Sequence, residues 1–143
     1  MFLNLLFLLL IMKDMTAALI IKNKKILLVH NTKHNGLRIE PLGGKREGNE
    51  DLENCIIREV KEELGIVIRP IKLFGIFETN SPEGDFKVYM YFSEIEKGVP
   101  TLMEPDKISK FDWYSFEDMK KLKEQGVLVP NVCSALDNLK KCL

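Results

Sequence analysis

Residues 44–66, GKREGNEDLENCIIREVKEELGI, constrain this chain more than any other stretch, because they read as one short helix with turn signals on both flanks. Asp51 can cap the helix after the Gly48-Asn49-Glu50 turn, and Gly65 can take the left-handed position that ends it after Leu64. Leu52, Ile56, Ile57, Val60 and Leu64 recur at helical spacing, so this face is expected to sit on a core while the carboxylates look outward. Among those carboxylates, Glu59, Glu62 and Glu63 fall at i, i+3 and i+4 and therefore share one side.

Like charges at that spacing cost a helix roughly a few tenths of a kcal/mol. A divalent cation reverses the sign. Hard carboxylate oxygens point to Mg²⁺, with Mn²⁺ as the alternative, rather than zinc, and Mg²⁺ is commonly held by a few carboxylates together with substrate phosphates. Gly43 and Gly44 allow a close backbone approach and offer carbonyl oxygens. Arg58 can pair with Glu62 along the helix and with Glu50 if the preceding loop folds back. The charge pattern alone also fits a solvated helix rich in glutamate, since REVKEEL is a good helix former.

The complete run resembles the signature of the Nudix hydrolases: a glycine, five residues, a glutamate, seven residues, then Arg-Glu-apolar-x-Glu-Glu-x-Gly-apolar. Gly44, Glu50, Arg58, Glu59, Val60, Glu62, Glu63, Gly65 and Ile66 satisfy every fixed position. The resemblance implies Mg²⁺-dependent cleavage of a pyrophosphate bond in a nucleoside diphosphate linked to another group. Carried over, it makes Glu59 and Glu63 the principal metal ligands and Glu62 a further ligand or water-activating group. It makes the Gly44 carbonyl a ligand too, and Glu50 with Arg58 a brace between loop and helix. Some members draw their base from a late loop glutamate; Glu104 is the candidate, ahead of Glu94 and Glu96. Two positions depart from the commonest pattern, Pro41-Leu42-Gly43-Gly44 with its displaced proline and Asn49 in place of a glycine. Both alter the loop near the phosphates, and neither touches a metal ligand.

The rest of the chain is expected to supply a single α/β domain. Residues 16–23 and 25–31 read as strands joined by a tight hairpin at Asn23-Lys24, and residues 37–41 as the lead into the glycine loop. Residues 71–77, 86–92 and 108–114 are further strand candidates, with Trp113 a core or rim aromatic. SFEDMKKLKEQG predicts a helix capped by Ser115 and stopped by Gly126, and residues 130–141 predict a final one. Strands flanked by helices suggest an α/β/α sandwich with a mixed sheet. The resemblance implies the same fold, carrying a catalytic loop-helix-loop, over about residues 16–142.

Composition narrows the partners. Hydrophobic residues make up 45% and charged residues 29%, ordinary globular usage. Lys plus Arg equal Asp plus Glu at 21 each, so no overall field attracts a long nucleic acid, while a small nucleotide remains compatible. Cys55, Cys133 and Cys142 are few and irregularly spaced, which argues for a reducing cytoplasm, and Cys55 reads as core filler rather than nucleophile. The apolar leader, residues 1–15, is too short to span a bilayer and lacks the basic flank of a signal peptide, so no stable membrane insertion is expected. Three readings apply to it: a translation start at Met12 or Met15, an added packing segment, or a membrane contact. If translated, it also offers a place for the partner subunit of a homodimer.

Substrate choice draws on fewer signals. A nucleoside triphosphate, canonical or oxidised, cleaved to monophosphate and pyrophosphate, is the expectation. A short chain and the FDWYSFEDM segment resemble the members that sanitise oxidised nucleotides. Pro82, near where ADP-ribose-cleaving members carry a proline, supports the alternative of ADP-ribose or another nucleoside diphosphate, although Ser81-Pro82-Glu83-Gly84 also reads as a plain turn. A non-catalytic nucleotide-binding module is the third reading, marked by loss of a metal glutamate. Arg38 and Lys45 are placed to meet phosphate oxygens. Phe77, Asn80, Tyr89 and Tyr91 are candidates for the base, since aromatic faces stack and an amide reads an edge. His30 and His34 lack companions at metal-ligand spacing.

Overall fold

A computed structural model describes residues 12–33, 36–81 and 84–143. Most of the leader, His34 and Pro82 lie outside the described residues.

Strand β1 (Lys13–Lys22) turns directly into β2 (Lys25–Asn31). Asn23 and Lys24 both hold positive φ, 52° and 61°, as a two-residue hairpin matched to strand twist requires. β1 begins at Lys13 rather than Thr16 because its first residues are paired: Lys13 lies opposite Phe86 of β6 (Gly84–Lys97) in a parallel ladder that runs to Ile20 opposite Ser93. β3 (Arg38–Glu40) follows, and then the expected glycine loop is instead a strand, β4 (Leu42–Lys45), with Gly43 and Gly44 opposite Ala17 and Thr16 of β1.

Helix α1 (Leu52–Leu64) has the expected caps. Asp51 accepts from the Glu53 N–H, and Gly65, at φ 69°, donates to the Lys61 carbonyl. β5 (Val67–Ser81) begins four residues before the expected strand. Pro70 does not stop it because β5 is the sheet's outer edge and the ladder is irregular between Pro70 and Lys72, the two settings in which a strand tolerates proline. β6 likewise extends beyond Phe92 to Lys97 on alternating polar residues. β7 (Ile108–Tyr114) precedes α2 (Phe116–Glu124), whose Ser115–Asp118 pair forms a reciprocal capping box, and α3 (Pro130–Lys140) closes the chain.

The strands form one mixed seven-stranded sheet, ordered β3-β2-β1-β6-β5, with β4 beside β1 and β7 beside β2. Alternation along the central strands feeds two cores. Ala17, Leu19, Ile26 and Leu28 pack with Val132, Leu136 and Leu139 of α3. Ala18, Ile20, Leu27 and Val29 pack with Ile56, Val60 and Leu64 of α1. Burial on both faces explains why β1 and β2 read as nearly continuous apolar runs. The result is the α/β/α sandwich anticipated above, with α1 alone on one face and beside the edge of β4. Among the described residues no helix is long and apolar enough to cross a membrane.

Candidate active site

The two glycines of β4 bring strand and helix together. At Gly43, φ is 147° and an added Cβ would stand 2.0 Å from the Thr16 carbonyl oxygen, so no other residue fits. Gly43 directs its N–H to Glu63 Oε1 at 2.8 Å. At Gly44 the clash would be with Glu59, whose Cδ lies 2.4 Å from the position a Cβ would take. The helix can therefore present two carboxylates against bare backbone. The Gly44 carbonyl accepts from Thr16 Oγ1 at 3.3 Å and weakly from Cys55 Sγ at 3.8 Å.

One turn away, Arg58 ties the loop to the helix. Its Nη2 and Nε meet both oxygens of Glu50 at 2.7 and 3.2 Å, its Nη1 reaches Glu59 at 2.9 Å and Glu62 at 3.3 Å, and Nη2 also donates to the Lys45 carbonyl at 3.2 Å. Hydrogen bonding to Arg58, helped by the Glu47 N–H, draws the Glu50 carboxyl down to about 2, and Glu50 in turn drives the Arg58 pKa upward. Both contacts expected of Arg58, with Glu50 across the loop and with Glu62 along the helix, are present.

Glu63 is half-buried beside Gly43, and that burial raises its pKa well above the ordinary carboxylate range. The Gly43 N–H opposes that shift, while the charges of Glu59, Glu40 and Glu104 add to it. Burial raises Glu59 as well, against the pull of Arg58. Glu62 remains exposed.

A cleft of about 350 Å³ collects these groups. Gly44, Glu59, Glu62 and Glu63 line it, and so do Arg38, Lys45 and Glu104 from distant parts of the chain. Glu104 arrives because the loop before β7 docks on the end of α1: the Thr101 and Met103 N–H groups donate to the Leu64 and Glu63 carbonyls, which the helix leaves unpaired. The Glu104 carboxylate meets Lys107 Nζ at 3.2 Å. Glu94 and Glu96, the lesser base candidates, are exposed on β6, Glu94 paired with Arg69 at 2.8 Å and outside the cleft. Phe77 and Tyr89 are not cleft residues either: Phe77 stacks on Phe74 at the core, and Tyr89 lies under Lys87. Tyr91 packs toward the α1 core. Asn80 touches the site only through its carbonyl, which accepts from Arg38. His30 pairs with Tyr114.

Sequence reasoning overlooked Asn31, Glu40, Glu47 and Lys107, which also line the cleft. The alternation Arg38-Ile39-Glu40 was the available signal for Glu40. It overlooked Asn131 too, whose buried Oδ1 has no hydrogen-bond partner in the first turn of α3. Asn131 follows Leu128 and Val129, which join β3 at Ile39, beside Arg38.

The donor chemistry fits a hard divalent cation. Glu59 and Glu63 are carboxylates whose charge burial disfavours, and a cation is the partner that would relieve both. The Cys55 thiol, pushed up to about 11 by burial, faces the Gly44 and Lys45 carbonyls and offers no thiolate. Among the described residues no three such side chains already stand as a closed metal shell, since Glu59 is held by Arg58 and Glu63 by Gly43.

Comparison with known proteins agrees with the geometry. A family model described as the NUDIX domain matches residues 12–131. The putative 8-oxo-dGTP diphosphatase YtkD of Bacillus subtilis (strain 168) is 31% identical over 115 residues, 66% of this chain and 73% of that protein. The NAD-capped RNA hydrolase NudC of Vibrio cholerae serotype O1 is 28% identical over 109 residues, 75% of this chain but only 39% of that longer protein. A NUDIX hydrolase structure from Nitrosomonas europaea superposes with a TM-score of 0.76 at 19% identity, covering 92% of this chain and 89% of the other.

Proposed function

The chain belongs to the Nudix family, and on that premise we propose that it hydrolyses a nucleoside triphosphate, canonical or oxidised, to the monophosphate and pyrophosphate. The gathering of Glu59, Glu62 and Glu63 in one cleft with Arg38 and Lys45 carries this reading, because carboxylates whose charge partial burial disfavours are matched by a cation arriving with the substrate. We assign Glu59, Glu62, Glu63 and the Gly44 carbonyl to Mg²⁺, with Mn²⁺ able to replace it. Such an ion, when bound, neutralises phosphate charge and acidifies water.

The chain's own residues do the remainder. Glu50 and Arg58 fix the helix against the loop, so the carboxylates keep their spacing while substrate enters. Arg38 and Lys45 flank the cleft and meet phosphate oxygens. Glu104 stands in the same cleft and accepts the proton of the attacking water as its oxygen bonds to phosphorus and the bridging P–O bond breaks, releasing pyrophosphate. A reducing cytoplasm suits the three free thiols.

The NudC relatives favour a second reading, cleavage of a nucleoside diphosphate joined to another group, such as ADP-ribose. One panel separates the two. Purified protein with Mg²⁺ is offered canonical and oxidised nucleoside triphosphates, ADP-ribose and dinucleoside polyphosphates, and the products are scored. Pyrophosphate release from a triphosphate supports the first reading. Monophosphates from ADP-ribose alone support the second, and metal binding without turnover of any substrate points to a non-catalytic nucleotide-binding module.

A further inference from the structure

Glu40 holds no metal and moves no proton in the chemistry above, yet it sits in the cleft, where a carboxylate repels phosphate. Asn31 and Arg38 face each other as a registered pair across β2 and β3, and Glu40, two residues past Arg38, projects to the same side of its strand. One Glu40 oxygen accepts from Asn31 Nδ2 at 2.7 Å and the other from Arg38 Nε at 3.2 Å. Asn31 Oδ1 accepts from the Lys33 N–H at 2.8 Å, which fixes the direction of the amide. The far end of the guanidinium is held as well, by Thr79 Oγ1 at 3.2 Å and the Asn80 carbonyl at 3.3 Å. The Glu40 side chain is only 20% exposed, so this pair is screened less than one on open surface.

A free arginine side chain loses considerable rotamer freedom when it engages a ligand, and a side chain ordered beforehand does not. We propose that Glu40 is a positioning residue for substrate, locking Arg38 and Asn31 into a preformed clamp at the cleft so that the guanidinium meets the nucleotide's phosphate already aligned. The proposal rests on the nucleotide reading given above. Its effect is expected on binding, through Arg38 and Asn31; the Glu40 charge also adds to the raised pKa of Glu63, and Glu40→Asp keeps that charge where Glu40→Gln removes it.

A double-mutant cycle on the full chain tests it. With GTP and ADP-ribose as substrates in Mg²⁺, Glu40→Gln is expected to raise KM about tenfold with kcat within about twofold, and Arg38→Ala to do the same. The double variant is expected to be no more than about twofold worse than Arg38→Ala, since Glu40 acts through Arg38. Glu40→Asp, which keeps the charge, should recover most of the lost KM. Effects that multiply toward a hundredfold, or a Glu40→Gln that lowers kcat at unchanged KM, overturn the proposal. If Glu40→Gln melts below assay temperature, Glu40→Asp and Arg38→Lys carry the same cycle. If the wild-type chain turns over neither of these nor any other nucleotide of the panel above, the reading above fails, and the clamp is judged by calorimetry with GMP and AMP on metal-free protein. The same non-additivity in Kd sustains it there, and additive or absent effects overturn it.

Discussion

The middle of α1 and its C-terminal turn carry the same kind of side chain in opposite circumstances. Around Arg58 the carboxylates of Glu50, Glu59 and Glu62 share one guanidinium within 3.3 Å. At Gly43 a single N–H serves the half-buried Glu63. Compensated charge holds shape, and uncompensated charge stores a demand that a ligand can meet. Glu59 belongs to both, bonded to Arg58 yet pressed against Gly44. A structural brace and a functional site are thus distinguished by the number of partners rather than by residue type.

Glu63→Gln gives the sharpest test of that contrast. Turnover is expected to fall at least about a hundredfold, about 2.7 kcal/mol of barrier, while the metal-free protein melts no lower than wild type. Melting curves in chelator beside steady-state rates check both halves; a large loss of stability would break the distinction. Arg58→Ala should behave oppositely, losing about 1–3 kcal/mol of stability by denaturant titration along with activity, because Glu50 and Glu59 are left without their cation. Gly44→Ala lies between. Its Cβ displaces only the end of the flexible Glu59 side chain, so activity should drop about tenfold with little change in melting temperature.

The smallest effect concerns acid. Glu50 is drawn from an ordinary 4.5 to about 2 in the folded chain. A depressed carboxylate contributes stability above its unfolded pKa and loses it as pH falls toward the folded one. Wild-type stability should therefore decline across that interval, and Glu50→Gln should flatten the decline. Equal slopes would remove Glu50 from the brace.

The local parts of this molecule were readable in advance. The Asn23-Lys24 turn, the Asp51 and Gly65 caps and the Ser115 cap each depend on neighbours a few residues away. β4 was not readable, because paired glycines speak against a strand and only β1 makes them one. From that miss follows the unforeseen contact of Glu63 with the Gly43 N–H, which requires Gly43 in a strand. Phe77 and Tyr89 were offered to the base on residue type, and their faces depended on a register that the bulges of β5 conceal. Glu104 came within reach from the opposite cause, a loop seeking the open carbonyls at the end of α1.

The parallel pairing of β1 with β6 sets when the cleft can exist during synthesis. Lys13 must wait for Phe86 to emerge, and Glu104 and Lys107 emerge later still. Contacts so far apart in sequence close late and slowly. A nascent chain therefore carries its acidic residues well before the cleft that they line can close.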